Sequence, residues 1–402
     1  MDAATSTATT GEEVTQEQVE ELVDQLLRDH PPATTDRARF LGAQFDLGLA
    51  WVHFDVGAGG LGAAPGLQRI VQQRISEAGG PSAWGANPIG VGMAAPTLHA
   101  WGSAEQRAML RPLFTAEEIW CQLFSEPGAG SDLAGLSTRA ERDGDEWVVN
   151  GQKVWTSLGH LARWGLLVAR TDPDVPKHRG LTYFVLDMQA PGVDVRPLRQ
   201  MTGDAEFNEI YLTDVRVPDS ARLGGVGDGW RVSLTTLMNE RVSIGGQSSG
   251  GRGPVASALE LWRALPADER DAVRRDQLVR LWVDDAVIRF TVQRGAQAQA
   301  RGVPGPEGSI AKLASSELNQ RAYAFCMTLL GPEATLYPGY DVDRFAREAQ
   351  RDVRAAFLRS RANTIEGGTS EILRNILGER VLGLPGDIRV DKDLPWSQVP
   401  RS

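Results

Sequence analysis

A loop rich in glycine and other small residues is the segment of this chain best suited to bind an anion. It reads Phe124-Ser125-Glu126-Pro127-Gly128-Ala129-Gly130-Ser131-Asp132. Small residues on both sides of Ala129 let backbone N–H groups approach a ligand closely, and such a concave set of donors suits a pyrophosphate. The loop is neither a G-x-G-x-x-G dinucleotide fingerprint nor a P-loop. On the glycines alone, an ordinary turn between a helix and a strand remains the alternative.

An aromatic residue and two hydroxyl residues, Trp155-Thr156-Ser157, follow the loop in sequence. An indole can stack on or flank a flat ring, and neighbouring polar groups can reach the heteroatoms of that ring. For Trp155 by itself, a place in the hydrophobic core is the alternative. Coming after the glycine loop, the run makes a ligand site a more specific interpretation than either segment alone.

Composition excludes several other functions. The formal net charge of −10 argues against a nucleic-acid partner, which requires a basic face. The two cysteines, Cys121 and Cys326, are far apart, which fits a reducing compartment, and we expect a cytoplasmic protein. The five histidines show no metal-ligand spacing, and no apolar run approaches the ~20 residues of a membrane span. No metal site and no membrane span are therefore predicted.

The chain has helical sequence patterns at both ends and extended patterns in the middle. Helices are predicted over Glu12–Arg28 and over Ala104–Leu113, the second with Ser103 as its cap. Two turn signals, Asp143-Gly144 and Asn150-Gly151, each predict a β-hairpin, because Asx-Gly pairs suit positive φ. Further strands are expected at 164–169, 181–186, 193–198 and 209–212. Helices are expected again at 277–293, 309–330, 351–362 and 370–381.

These elements suggest the domain organisation. Residues 1–11 are predicted as a disordered lead-in, 12–118 as an N-terminal helical domain and 119–225 as a middle β domain. Residues 226–386 are predicted as a C-terminal helical bundle and 387–402 as a tail. The sequence shows no internal repeat.

The stretch from Trp120 to Ser157 resembles the flavin-binding segment of the acyl-CoA dehydrogenase family. The motifs that carry the resemblance are Gln122, the loop 125–132, Asn150-Gly151-Gln152-Lys153 and Trp155-Thr156-Ser157. Further similar stretches lie at 198–212, 308–321 and 365–374. The resemblance implies an α+β multidomain fold with an N-terminal helical domain, a middle β-barrel or sandwich domain and a C-terminal four-helix bundle. It also implies FAD as the cofactor.

The resemblance assigns a part of the FAD to each motif. It places Gln122, Phe124 and Ser125 along the flavin ring. It places Gly130 and Ser131 at the pyrophosphate, with the Ser131 backbone also meeting the CoA pantetheine. Trp155, Thr156 and Ser157 would cover the flavin face opposite the substrate. Thr369, Ser370 and Glu371 would contact FAD from the C-terminal domain, while Arg241 and Gly368 would lie beside the substrate.

The implied reaction is the α,β-dehydrogenation of an acyl-CoA thioester. It requires a carboxylate to remove the α-proton and hydrogen-bond donors for the thioester oxygen. Glu240 is the predicted base, because part of the family carries its base at this position and has glycine, here Gly367, at the other possible site. Glu366 is the alternative, but it lies one residue before that site, which directs its side chain elsewhere. The Gly367 N–H would polarise the thioester carbonyl together with the FAD ribityl hydroxyl. The missing side chain at Gly367 also leaves room for a bulky or branched acyl group.

Two departures from the family pattern concern the partner subunit. The family's Arg-x-x-Phe-Gly segment has no counterpart near Trp262–Asp276, and its Gly-Gly pair is missing near Leu330–Glu333. We therefore expect either a homo-oligomer, dimer or tetramer, or an α2β2 heterotetramer whose related second subunit completes the FAD site.

The expected electron acceptor is an electron-transfer flavoprotein. The alternatives are a non-catalytic subunit, an oxidase of the same fold, and a dehydrogenase of carrier-protein thioesters. The ending Leu382–Asp387 resembles actinobacterial dehydrogenases for long-chain or steroid side-chain thioesters.

Overall fold

The computed structural model describes residues 14–245, 253–300, 305–336, 352–386, 388 and 391–400, without the side chains of 241–245 and 299–300. The chain forms two compact units. The first comprises residues 1–91 and 103–118, and the second comprises residues 92–102 and 119–402. All the predicted functional residues belong to the second unit.

Three of the helices that precede the first strand begin at residues whose side chains cap them. The Thr15 hydroxyl accepts a hydrogen bond from the Gln18 N–H, and the Gln18 side chain accepts one from the Thr15 N–H. This capping box starts the first helix at Gln16. The helices are α1 (Gln16–Asp29), α2 (Arg37–Asp46), α3 (Gln68–Glu77), α4 (Ala95–Trp101), α5 (Ala104–Arg107) and α6 (Leu110–Thr115), of which α4 belongs to the second unit.

The single helix predicted over Ala104–Leu113 is wrong, because the chain forms two short helices there. Ser103 does cap the first of them, accepting a hydrogen bond from the Gln106 N–H. Pro112 accounts for the break: it has no N–H to donate to the Ala108 carbonyl, and its ring crowds that carbonyl. α5 accordingly ends at Arg107, and α6 begins at Leu110.

The middle of the chain folds into one mixed sheet. Its strands are β1 (Trp120–Leu123), β2 (Arg139–Asp143), β3 (Glu146–Ser157), β4 (Trp164–Arg170), β5 (Leu181–Asp187), β6 (Val193–Leu198), β7 (Phe207–Pro218) and β8 (Arg222–Leu223). The strand order is β6-β7-β3-β2-β4-β5-β8, and β1 pairs in parallel with β4. Apolar side chains from one face form a core that includes Trp147 and Phe184, whose rings meet edge to face at 5.6 Å.

Of the two predicted hairpins, only that at Asp143-Gly144 is confirmed. β2 and β3 pair antiparallel with Asp143 opposite Glu146, and Gly144 has a φ of +64°. Asn150-Gly151 instead lies inside the continuous strand β3.

Close packing and a side-chain contact explain the Asn150-Gly151 pair. A Cβ atom on Gly151 would lie 2.7 Å from the Cα atom of Thr138, so the glycine permits a close approach of two backbones. The Asn150 amide exchanges two hydrogen bonds with Asp214, at a bulge in β7. The pair that suggested a turn therefore serves sheet packing.

Helices return after β8 and pack around one central helix. They are α7 (Gly229–Gly245), α8 (Pro254–Ala264), α9 (Ala272–Ala300), α10 (Glu307–Leu330), α11 (Val353–Ser360) and α12 (Ser370–Ile376), with a π-helical turn at Leu377–Val381. α10 contacts each of the other five. The apolar contact surface of α8, α9 and α10 includes Ala258, Leu281 and Phe325. The predicted order of helices, sheet and helices is confirmed.

The last described residues pack against the sheet domain. The Trp396 ring lies 4.3 Å from the Arg170 guanidinium, and its Nε1–H donates to the Gly135 carbonyl. Lys177 donates to Asp391 at 2.6 Å and to Asp132, at the end of the glycine loop, at 2.9 Å.

Among the described helices, none has the length and apolar character needed to cross a bilayer. The described residues also contain no cluster of potential metal ligands.

Candidate active site

A buried ion pair holds the glycine loop on the sheet. The wholly buried Lys153 ammonium lies 2.9 Å from Glu126 Oε1 and 3.0 Å from the Phe124 carbonyl oxygen. The Glu126 carboxylate also accepts hydrogen bonds from the N–H groups of Ser137 and Thr138, at 2.6 and 2.9 Å. Burial raises the pKa of Glu126, but the Lys153 charge and the hydrogen bonds outweigh it and hold this pKa below its ordinary value. Glu126 is therefore a carboxylate that ties the loop to β3.

The exposed part of the loop has glycines that the fold itself does not require. Neither Gly128 nor Gly130 has a positive φ. A Cβ atom built on either glycine would meet no described atom within 4 Å. A ligand lying against the backbone does require them, because side chains would keep it away from the N–H groups. The exposed Gly130-Ser131 pair therefore fits the pyrophosphate contact predicted for it.

Trp155 projects from a bulge in β3. Its φ is +60°, and 60% of its side chain is exposed, so it is not a core aromatic. The β3–β7 register shifts between Lys153 and Thr156, which turns the indole out of the sheet. A left-handed conformation costs a residue of this size roughly 1–2 kcal/mol, and such strain concentrates at functional sites. The Phe207 ring supports the indole edge-on at 6.0 Å.

The start of the glycine loop lies beside this bulge. The Val154 N–H, one residue before Trp155, donates to the Ser125 carbonyl at 2.9 Å. Phe124 is buried and packs edge-on against Tyr183, with ring centroids 5.8 Å apart. Gln122 is half-buried on β1, and Ser157 is half-buried at the end of β3. The fold thus brings together the two sequence segments that were predicted to share a ligand.

Two predicted cofactor contacts carry hydroxyl groups without a partner. Thr156 Oγ1 and Ser370 Oγ are both buried, and neither forms a hydrogen bond within the described part of the chain. Buried hydroxyl groups are ordinarily paired, so each marks a position where a polar ligand would complete the bonding. With the open glycine backbone and the exposed indole, these residues fit a ligand that has a flat ring and a pyrophosphate, such as FAD.

A tight turn precedes α12 and carries the second group of predicted residues. Gly367 and Gly368 have φ values of +62° and +96°. The Thr369 hydroxyl caps α12 by accepting the Ile372 N–H at 3.1 Å. Beside the turn lies a groove of about 380 Å³, lined by Glu317, Gln320, Arg321, Thr364, Ser370, Glu371 and Arg374. Ser370 and Glu371, two of the predicted FAD contacts, therefore lie on one groove.

Lys312 links this turn to α10. Its Nζ atom lies 2.9 Å from the Asn363 carbonyl oxygen and 2.7 Å from the Gly368 carbonyl oxygen. Burial lowers the pKa of Lys312, while the charges of Glu366 and Glu240 act in the opposite direction. Both candidate bases therefore lie within electrostatic range of one buried ammonium. The Arg241 side chain, predicted to approach CoA, lies outside the described residues.

The two candidate bases lie on different elements, and Glu366 is bonded to residues near its own turn. Arg359 donates to both Glu366 oxygens, at 3.2 and 2.7 Å, and Asn363 donates to Oε1 at 2.7 Å. These three hydrogen bonds turn the Glu366 carboxylate back against its own turn. Glu240 is half-buried on α7, which packs against α10.

Arg359 also connects the turn to the sheet. Its guanidinium lies over the Phe207 ring at 5.5 Å from the centroid, and Phe207 supports Trp155. A chain of contacts thus runs from the exposed indole to the turn that carries Gly367. The two halves of the predicted site are adjacent within the second unit.

Sequence reasoning missed the structural roles of three residues. Lys153 was noted only as part of a motif, while Glu126 and Lys312 were not given roles. The one available signal was composition: the sequence has four lysines, at 153, 177, 312 and 392, against 38 arginines. The structure places two of these lysines in full burial at the candidate site. Arginine carries most of the positive charge of this chain, so each lysine was a candidate for a specific structural role.

The residues predicted to contact a flavin thus lie both in a sheet domain and in a helical bundle of one fold. Residues 121–215 match the middle domain of the acyl-CoA dehydrogenases, and residues 227–382 match their C-terminal domain. The acyl-CoA dehydrogenase FadE34 of Mycobacterium tuberculosis is 40% identical over 343 residues, which are 85% of this chain and 45% of that protein. The acyl-CoA dehydrogenase IpdE1 of the same organism is 39% identical over 305 residues, or 75% of this chain and 77% of IpdE1. The chain thus belongs to the acyl-CoA dehydrogenase family, whose members are FAD-dependent oxidoreductases.

Solved structures show the same fold. The ChsE4–ChsE5 complex from M. tuberculosis superposes with a TM-score of 0.70 at 29% identity, covering 94% of this chain and 100% of the matched chain. The full-length match confirms the predicted fold class. This chain spans slightly less than half the length of FadE34.

Proposed function

We propose that this chain catalyses the α,β-dehydrogenation of an acyl-CoA thioester to the trans-2-enoyl-CoA, with Glu240 as the base. The Cα–H bond breaks, and its proton moves to the Glu240 carboxylate. The electrons of that bond form the new Cα–Cβ double bond as the Cβ–H bond breaks. When bound, FAD supplies the two-electron acceptor for the hydride that leaves Cβ.

The bonding of Glu366 carries the assignment of Glu240. The Glu366 carboxylate accepts two hydrogen bonds from Arg359 and one from Asn363, so both of its oxygens are already engaged. A base must instead reach the α-proton with a free oxygen. Glu240 lies on a different element, α7, at the position where part of the family carries its base.

The Gly367 N–H is the proposed donor to the thioester oxygen. A donor aimed at developing enolate charge stabilises the transition state. The positive φ of Gly367 sets the direction of its peptide, and the missing side chain leaves space beside the acyl chain. This space supports a bulky or branched acyl group. Gly368, with its φ of +96°, would lie beside the substrate, together with Arg241 and the Ser131 backbone.

The cofactor contacts divide between the two halves of the site. Gly130 and Ser131 would hold the pyrophosphate. Gln122, Phe124, Ser125 and the run 155–157 would surround the flavin ring, with Trp155 on the face opposite the substrate. Thr369, Ser370 and Glu371 would hold FAD from the groove beside α12.

The decisive experiment compares Glu240→Gln with Glu366→Gln in anaerobic stopped-flow reduction of the bound flavin. A panel of butanoyl-, octanoyl- and palmitoyl-CoA and a steroid side-chain CoA thioester identifies the substrate, as the ester that bleaches the flavin fastest. We expect Glu240→Gln to slow flavin reduction by roughly 10²–10⁴-fold, which is the usual worth of a general base. Glu366→Gln should keep the rate within about tenfold.

Undiminished flavin reduction by Glu240→Gln would refute this base. Oxygen consumption at a rate matching turnover would indicate an oxidase of the same fold. Faster reduction by pantetheine-linked carrier-protein thioesters would indicate a carrier-dependent dehydrogenase. The absence of bound flavin in any preparation would indicate a non-catalytic subunit.

A second, related chain is the proposed partner. α9 exposes an apolar stripe of Val279, Trp282, Val283, Val287 and Phe290, each 46–67% exposed. Apart from the adjacent Trp282 and Val283, neighbours in the stripe are three or four residues apart. The family motifs missing near 262–276 and 330–333 would have contacted FAD across a subunit interface. Similarity to one chain of the ChsE4–ChsE5 complex supports a related second subunit over an identical one.

Native mass spectrometry of a tagged chain, purified from its source organism, tests this assembly. We expect a 2:2 complex whose second chain has the acyl-CoA dehydrogenase fold and whose FAD content exceeds that of the chain purified alone. A FAD-replete, active homotetramer of the chain alone would refute the proposal.

Electron-transfer flavoprotein is the proposed electron acceptor, and its reduction by the loaded enzyme is measurable in the same preparation. The two cysteines are buried and free, which supports a cytoplasmic location.

A further inference from the structure

Lys312 spans the turn that carries Gly367. Its side chain is 1% exposed, and its Nζ atom contacts the carbonyl oxygens of Asn363 and Gly368, on either side of the Glu366-Gly367 pair. The two contacts join residues 51 and 56 positions apart in sequence. One buried side chain of α10 therefore holds both ends of this turn.

Neutral side chains of α10 already provide other anchors for the same segment. Gln320 donates to the Thr364 hydroxyl at 2.9 Å and to the Arg361 carbonyl at 3.3 Å. Asn319 donates to the Asn363 side chain at 3.3 Å. Amide groups thus serve to attach the segment to α10, and attachment by itself does not call for a buried ammonium, which is costly to desolvate.

The position of the charge distinguishes Lys312 from these amides. The carboxylates within electrostatic range of its ammonium are Glu240 on α7 and Glu366 in the turn. Arg359 of α11 already pairs with Glu366 at 2.7 Å. The Lys312 charge therefore also acts on a carboxylate of a second element, Glu240 on α7, besides the one that Arg359 pairs.

We propose that Lys312 is a positioning residue of the dehydrogenase centre, which fixes the Asn363–Gly368 turn so that the Gly367 N–H meets the thioester oxygen and which favours the charged form of Glu240. This inference rests on the proposed function, in which Glu240 is the base and Gly367 the donor. It adds a residue that touches neither substrate nor reacting atoms. It predicts that geometry and charge at Lys312 have separable effects on the reaction.

Three variants separate these effects in the loaded enzyme. Lys312→Met removes both hydrogen bonds and the charge, whereas Lys312→Gln keeps an N–H donor and removes only the charge. Asn319→Leu is the matched control, because it removes a neutral hydrogen bond from α10 to the same segment. Each variant is assayed for FAD content, thermal midpoint, KM, and the pH dependence of flavin reduction with the fastest thioester of the panel.

We expect Lys312→Met to lower the limiting rate of flavin reduction by roughly 10²-fold, the usual effect of losing one oxyanion donor, with KM changed less than about threefold. In both Lys312 variants the acid limb of the pH profile should move up by about 1 pH unit, because a carboxylate that loses a nearby positive charge takes up its proton at higher pH. Lys312→Gln should retain most of the limiting rate at high pH. Asn319→Leu should lower the thermal midpoint and leave the pH profile unchanged.

A pH profile of Lys312→Gln that superposes on that of the parent enzyme would overturn the role of the charge. A loss of rate in Lys312→Met that merely follows its loss of FAD would overturn the role in catalysis. If Lys312→Met does not fold, the Lys312→Gln profile alone decides. Glu240→Gln keeps the two proposals distinct: if it is active, the proposed function fails, and if it is inactive while the Lys312 variants behave as the parent, only the inference on Lys312 fails.

Discussion

The buried pair of Lys153 and Glu126 makes the stability of the glycine loop measurable. Lys153→Met leaves the Glu126 carboxylate enclosed, with the exposed fraction of its side chain at 7%, and leaves the Phe124 carbonyl without its ammonium donor. An uncompensated buried charge costs about 3–5 kcal/mol. We therefore expect the free energy of unfolding to fall by about that amount in Lys153→Met, and similarly in Glu126→Gln.

The double variant Glu126→Gln/Lys153→Met measures the coupling free energy between the two charged side chains. It removes both charges, and the new amide oxygen can still accept one of the N–H groups of Ser137 and Thr138, which bind different Glu126 oxygens. We expect it to lose less than the sum of the two single variants, with a coupling free energy of at least about 2 kcal/mol. The assay is urea unfolding of FAD-free protein, followed by tryptophan fluorescence, so that cofactor binding does not contribute.

A surface pair provides the control, and pH provides a second test. Arg216 pairs with Asp143 and Glu146, all of them well exposed, so Arg216→Met should leave the midpoint unchanged. Because the folded-state pKa of Glu126 lies below its ordinary value of 4.5, the contribution of the pair is present above pH 4.5 and is lost as pH falls through the folded value. Additive single variants, or a difference between parent and Glu126→Gln that persists under acid, would refute the reasoning.

Three further predictions concern the loop, the sheet and the docked tail. Gly130→Ala should leave the unfolding midpoint unchanged, since a Cβ atom there meets no described atom within 4 Å, while FAD affinity by fluorescence titration falls at least about tenfold; unchanged affinity would remove Gly130 from the site. Gly151→Ala should lower the free energy of unfolding by about 1–3 kcal/mol, because the added methyl would lie 2.7 Å from the Thr138 Cα atom; a neutral result in urea titration would show that the strands can separate. Trp396→Ala should cost about 1–3 kcal/mol and expose the tail to limited proteolysis, since it loses the Arg170 contact and one hydrogen bond; an unchanged cleavage rate would contradict this.

Strand positions were predictable where alternation and turn chemistry agreed. The strand predicted at 193–198 has those bounds in the structure, and that predicted at 164–169 extends by one residue. Asn150-Gly151 misled because the same residue pair suits both a tight turn and a close backbone approach. The contact that decides between them involves Thr138 and Asp214, which periodicity near residue 150 cannot reveal. The Pro112 break, in contrast, was readable from the sequence itself.

The candidate site also has residues that could be predicted from the sequence and residues that could not. The segments that would face the cofactor were identifiable, because glycine and an aromatic residue carry distinctive chemistry. Their supports were not, since Lys312 reaches a turn 51 or more residues away and Arg359 reaches Phe207 on a different domain. Such contacts depend on how α10 and α11 pack, and local pattern contains no information on that packing.

The docking of Trp396 on Gly135 affects when the glycine loop is completed during protein synthesis. The two residues lie 261 positions apart, and Lys177 and Asp391 lie 214 apart. The sheet can fold while the ribosome is still making the helical bundle, because domains generally fold in the order of their synthesis. The anchor that Asp391 adds beside Asp132 forms only after residues 391–396 have emerged. Bracing of the glycine loop is therefore a late event, and nascent chains stalled before residue 391 should carry a loop that lacks this brace.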